Sequence, residues 1–247
     1  MRNLTIDGMT VDYTATVDTG GNYYHAFGVL AGFVGNGFSA SNVTVKNVTM
    51  NLNLCGEEAY NTSAHRLPAE CIGGLIGYAK GTVSMTNCKV EGMTVNITDG
   101  QDGGGTQFLI GGLIGYADAY YTLNSSGENS YGGSGNVNIE GCTVSGPTVN
   151  NKNEATGITT GALLGGIGKS VTTAAGKTYS VTASIDEDTT YPTELPCIGK
   201  ELTLDYSTAS ESAVQSRDAL LPADPEKRGG LRRYTRIKAC IASLDFL

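Results

Sequence analysis

Gly73-Gly74-Leu75-Ile76-Gly77-Tyr78-Ala79 returns almost letter for letter as Gly111-Gly112-Leu113-Ile114-Gly115-Tyr116-Ala117. Looser copies stand at Gly28-Val29-Leu30-Ala31-Gly32-Phe33-Val34 and Gly161-Ala162-Leu163-Leu164-Gly165-Gly166. A second block follows the first three: Asn87-Cys88-Lys89-Val90-Glu91-Gly92-Met93-Thr94-Val95-Asn96, with counterparts starting at Gly141 and Asn42. Self-similarity at such a period means that each unit cannot bury its apolar face alone and must stack on the next.

Within the best unit, Ile72 to Thr98, three short apolar runs are separated by turn residues: Ile72 to Ala79, Thr82 to Val90 and Met93 to Ile97. The second and third alternate, with a bulge expected near Asn87. Three strands in about 27 residues predict one coil of a parallel β-helix, so the fold class expected is an all-β solenoid with variable corner loops. Val95 and its equivalents Val11, Met50 and Val149 should face inward. Thr10, Thr49, Thr94 and Thr148 should form an outward polar stripe with Asp12, Asn51, Asn96 and Asn150.

The last glycine of the first block falls at Gly32, Gly77, Gly115 and Gly165, in steps of 45, 38 and 50 residues. The variation comes from insertions, mostly between the third strand of one coil and the first of the next: about Tyr13 to His25, Asn53 to Glu70, Asp99 to Gln107 and Asn151 to Thr159. In a regular stack these leave from one corner, where solenoids place binding surfaces. A further segment rich in Ser, Gly, Asn and Tyr lies between Asp118 and Gly135. The block glycines sit either where the chain bends or where a side chain would strike the neighbouring coil. They lack the Lys-Ser/Thr of a phosphate loop.

The 247-residue chain carries 35 glycines, no tryptophan and a formal charge of −8. Residues before Arg217 balance to −11 and the remainder to +3. Such an acidic body excludes nucleic acid as a partner. No apolar run approaches the roughly 18 residues that span a bilayer, so no membrane insertion is expected. The opening Met1-Arg2-Asn3-Leu4-Thr5-Ile6-Asp7-Gly8-Met9 already matches a second block, so the chain is expected to start inside a coil, as a fragment would. The repeat domain is drawn at residues 1–206. Residues 207–247 form a linker and basic tail in which Leu231, Tyr234, Ile237, Ile241 and Leu244 describe a short amphipathic helix. A cap on the stack, a surface-binding helix and a stretch foreign to the natural product all stay open for it.

Cys88 and Cys142 share a repeat position that Val43 fills in the preceding unit, which reads as a small apolar core residue stacked coil on coil. Cys55 and Cys71 bracket an insertion, and a disulfide between them is one of two open readings, since it needs an oxidising compartment. His25 and His65 fall in corner loops without metal-ligand spacing and read as exposed. Asp99-Gly100-Gln101-Asp102-Gly103 is oxygen-rich but lacks a calcium-loop spacing, so no metal or cofactor is assigned. Glu57-Glu58, Asp99/Asp102 and Asp186-Glu187-Asp188 read as solvated turns. No catalytic constellation is assigned and an enzyme is not expected. The ligand-binding candidates are Tyr23, Tyr24, Tyr60, Tyr120 and Tyr121, loop rings that can stack on a sugar face and hydrogen-bond its edge. Tyr78, Tyr116 and Phe33 share a repeat position and should instead form a stacked ladder.

The Gly-Gly-Leu-Ile-Gly-Tyr-Ala block followed by Asn-Cys-x-Val resembles the GLUG-type repeat of large bacterial surface and secreted proteins, many of them adhesin-like. The resemblance covers about Met1 to Gly168. It implies an exported, cell-surface or secreted module acting as adhesin or stalk, with a glycan or a host or cell-surface protein as partner, and it brings no catalytic residues. The competing class is a polysaccharide lyase or glycosidase, which parallel β-helices also support.

Overall fold

The computed structural model describes residues 1–14, 25–53, 70–98, 108–123, 129–152, 157–172 and 176–202. The basic tail, and with it the expected amphipathic helix, lies outside them. Among the described residues the chain is all-β, with no helix long and apolar enough to cross a membrane.

Four parallel sheets are each assembled from one place in successive repeats. The first holds Arg2–Asp7, Phe38–Lys46, Thr82–Thr86 with Lys89–Glu91, Gly135–Glu140 with Thr143–Val144, and Val181–Ile185. The second holds Thr10–Thr14, Thr49–Asn53, Thr94–Thr98 and Thr148–Asn151. The third holds His25–Gly28, Glu70–Gly73, Phe108–Gly111 and Ile158–Gly161. The fourth holds Ala31–Val34, Ile76–Lys80, Ile114–Asp118, Leu164–Gly168 and Ile198–Leu202. The chain visits them in this order and then returns to the first.

The repeats that contain residues 82–98 and 135–151 therefore have five short strands along the four sheets, and the one before them, whose first-sheet strand Phe38–Lys46 is unbroken, has four, where three were expected. The first apolar run turns between Gly73 and Ile76, and the second breaks at Asn87, whose φ of 52° is left-handed. Asn3 (57°), Asn42 (52°) and Gly141 (59°) occupy the same corner. Asparagine and glycine are the residues that enter that region at least cost, which explains their recurrence.

Register follows the sequence repeat. Thr94 pairs with Thr49 and Thr148, and Val95 with Met50 and Val149. Val95, Met50 and Ile97 are fully buried while Thr94 and Asn96 are half-exposed, so the second sheet faces as its alternation predicts. The third and fourth sheets differ, for Glu70–Gly73 and Phe108–Gly111 are buried at every residue. Ile72 and Ile110 point into the main core, whereas Cys71, Leu109, Tyr78, Tyr116 and Leu202 form a second apolar cluster. A strand covered on both faces reads as a continuous apolar run, which is why this block shows no alternation.

The block glycines answer to close approach. A Cβ on Gly77 would stand 2.5 Å from the Phe27 backbone nitrogen, and one on Gly115 would strike the Ile72 nitrogen. Strands of the third and fourth sheets thus touch backbone to backbone across neighbouring repeats, a contact that no other residue allows.

After Lys169 a hairpin interrupts the repeat order. Val171–Thr172 and Thr178–Tyr179 pair as an antiparallel hairpin, and Val181–Ile185 rejoins the first sheet. Ile198–Leu202 pairs with Leu164–Gly168 in the fourth sheet.

Candidate functional site

Tyr13 closes the second sheet's first strand region, His25 opens the third sheet and Glu70 opens the next strand of that sheet. His25 and Glu70 both stand three residues before an aligned glycine, Gly28 and Gly73, and are lateral partners. The Glu70 carboxylate lies 2.9 and 3.1 Å from His25 Nδ1, and the Tyr13 hydroxyl lies 2.7 Å from His25 Nε2. With Nδ1–H donating to the carboxylate, Nε2 is left to accept the phenol proton, so one imidazole joins an acid and a phenol.

Burial sets the electrostatics of this chain of three. The Glu70 side chain is 3% exposed and that of His25 19%. Burial pushes the Glu70 carboxyl above its ordinary value, opposed by the His25 hydrogen bond and charge. Burial, and then the Glu70 charge, push the Tyr13 phenol up as well. The rings of Tyr13, His25 and Phe27 pack together with centroids 4.9 to 5.9 Å apart. His25 is therefore a half-buried, fully engaged strand residue, and its reading as an exposed loop histidine is corrected. His65 lies outside the described residues.

The cluster sits at the exit of residues 15–24 and the return of residues 54–69. Residues 99–107 and 153–156 depart from the same junction, between second-sheet and third-sheet strands. The extra segment after Asp118 leaves from a different junction, between the fourth and first sheets, as the antiparallel pair Tyr120–Leu123 and Asn129–Gly133. The five candidate tyrosines thus divide between two junctions. Tyr23, Tyr24 and Tyr60 belong to segments outside the described residues. Tyr120 is half-buried with its ring over Gly132, where a Cβ would stand 2.6 Å from Cδ1, and Tyr121 pairs along the backbone with Tyr131.

Tyr78 stacks on Tyr116 at 5.4 Å and meets Phe33 edge-on at 5.4 Å, the ladder that their shared position predicts. The Tyr78 hydroxyl donates to the buried Asp118 carboxylate over 3.1 Å. Of the acidic clusters, Glu57, Glu58, Asp99 and Asp102 lie outside the described residues. Asp186 accepts from the Thr189 hydroxyl (2.6 Å) and the Gly141 N–H (2.9 Å), contacts that hold its carboxyl below the usual range and make it a turn cap. Among the described residues no group of three His, Cys, Asp or Glu is placed to hold a metal ion.

Cys71 is a buried thiol in the second apolar cluster, and the bridge read between it and Cys55 falls on a residue outside the described ones. Cys88 and Cys142 are buried free thiols in the main core, as their shared position predicts.

Parallel sheets that take one strand from each of several short, glycine-marked repeats define a repeat protein, in which unit upon unit extends a common core. Residues 68–96 match the GLUG motif, a match that supports the reading of these repeats as GLUG-type. Neither the curated proteins nor the solved structures give a match to this chain.

Proposed function

We propose that the repeats wind as a parallel β-helix and that this solenoid is an exported bacterial surface module, an adhesin or stalk without catalytic activity, presenting its insertions to glycans or to host or cell-surface proteins. One observation carries the reading: four insertions of different length leave from one junction, while the sheets they interrupt keep their register. Constant walls with variable loops on one side are what a binding scaffold needs. An acidic body suits neutral or cationic ligands better than anionic polysaccharides. Screening the purified chain on an array of host and plant glycans tests this. Binding without released sugar, reduced by Tyr23→Ala, Tyr24→Ala and Tyr60→Ala, supports it, and no binding to glycans or to cell-surface protein removes the adhesin role.

A carbohydrate-active enzyme is the second reading, favoured by the Tyr13–His25–Glu70 chain. A carboxylate that orients an imidazole beside a phenol is an arrangement able to move a proton during glycosidic bond cleavage. Sugar released by the wild type and lost in His25→Ala, with the fold retained, would bring this reading forward.

A further inference from the structure

Cys88 and Cys142 occupy the same place in consecutive repeats, where the first-sheet strand breaks. Lys89 pairs with Thr143, and the Thr143 N–H donates to the Cys88 carbonyl over 2.9 Å, so the cysteines are lateral neighbours. Adjacent strands lie about 4.7–4.9 Å apart. That falls within the roughly 4.4–6.8 Å between Cα atoms that a disulfide spans. Both side chains point into the core, and the Cys142 sulfur lies 3.4 Å from the Cys88 backbone nitrogen.

The column through this place runs Leu4, Val43, Cys88, Cys142 and Thr189, so among the described residues each cysteine's lateral thiol neighbour is the other. Cys71 belongs to the separate apolar cluster, and Cys197 lies against Tyr191.

We propose that Cys88 and Cys142 form a disulfide that staples two consecutive repeats when the chain folds in an oxidising medium. The Cys88 thiolate attacks a small-molecule disulfide, bonds to one of its sulfurs and expels the other as a thiolate. The Cys142 thiolate then attacks the Cys88 sulfur, forming the protein disulfide and expelling the second small thiolate. Two protein thiols are oxidised, one small disulfide is reduced to two thiols, and the two protons released by the cysteines end on them. Both sulfurs are buried once the repeats close, so exchange occurs before closure and the staple then resists reductant. A link across 54 residues would hold stacked units together in a stalk under load.

The test is refolding of the full chain with a mixture of oxidised and reduced glutathione, alkylation in denaturant without reductant, and mass spectrometry of the digest. The expected result is a peptide linking Cys88 to Cys142. It should accompany a melting temperature about 10 °C above that of protein refolded in reductant. Cys88→Val keeps a side chain that the column already holds at Val43, and it should abolish that difference. Alkylation of both cysteines, linkage of either to another cysteine, or a redox-dependent shift that survives in Cys88→Val would overturn the proposal. A failed cross-link leaves glycan binding untouched, and failure on the array leaves the cross-link untouched.

Discussion

The Asn51 side-chain amide donates to the Asp12 carboxylate over 2.7 Å, and this contact orients a ladder that crosses four strands. A carboxylate only accepts, so Asn51 must present its nitrogen to Asp12 and its oxygen to the next repeat. Asn96 donates to that oxygen over 2.7 Å, and Asn150 donates to Asn96 over 2.8 Å.

Asn51→Ala removes both its bond to Asp12 and the one it accepts from Asn96, and should cost about 1–2 kcal/mol. Asn51→Asp should cost more, because it sets two carboxylates side by side and removes the donor. The excess should shrink as salt screens the pair. Urea unfolding of both variants at low and high salt checks this, and a salt-independent difference would contradict the ladder.

The facing of the second sheet can be tested at neighbouring residues. Val95→Asp buries a charge with no partner and should cost more than about 4 kcal/mol, unfolding at least the local repeats. Thr94→Asp stays on the half-exposed face and should shift stability by about 0.5 kcal/mol. Thermal melts followed by circular dichroism separate the two, and equal damage would refute the facing.

That facing was legible because lateral pairing preserves repeat position. Thr94, Val95 and Asn96 have equivalents of the same character in each unit, and the Tyr78–Tyr116 stack follows from the same logic. The division of the first block was not legible, since its glycines suited both a bend and a close approach. The Tyr13–His25–Glu70 cluster was missed because no letter repeats there, the partners being 12 and 45 positions apart across insertions. A signal did exist: counting three back from Gly28 and from Gly73 sets His25 beside Glu70.

Gly77→Ala tests the backbone contact. The added methyl would meet the Phe27 backbone nitrogen at 2.5 Å, and neither strand can yield without disturbing its ladder. A loss of at least about 3 kcal/mol is expected. Gly35→Ala, with nothing within 4 Å of the new Cβ, should be neutral or slightly stabilising. Similar midpoints for both in denaturant would show that the block glycines serve another purpose.

Glu70 gives the stack a pH dependence whose sign follows from burial. Its carboxyl is raised above the ordinary 4.5, because desolvation outweighs the help from His25. The folded chain therefore holds this proton more tightly than the unfolded chain does. The resulting stabilisation is fully present below the unfolded value and is lost as pH rises through the folded one. Glu70→Gln keeps an oxygen to accept from His25 Nδ1–H but carries no charge to desolvate. Relative to wild type, it should gain stability as pH rises above about 4.5. His25→Ala should act in the opposite sense, leaving the carboxylate buried without its donor and costing most at neutral pH, on the order of 3 kcal/mol. Denaturant midpoints of the three proteins at pH 4 and pH 8 decide the matter: a Glu70→Gln variant that loses ground to wild type at the higher pH would mean that His25 overcompensates burial.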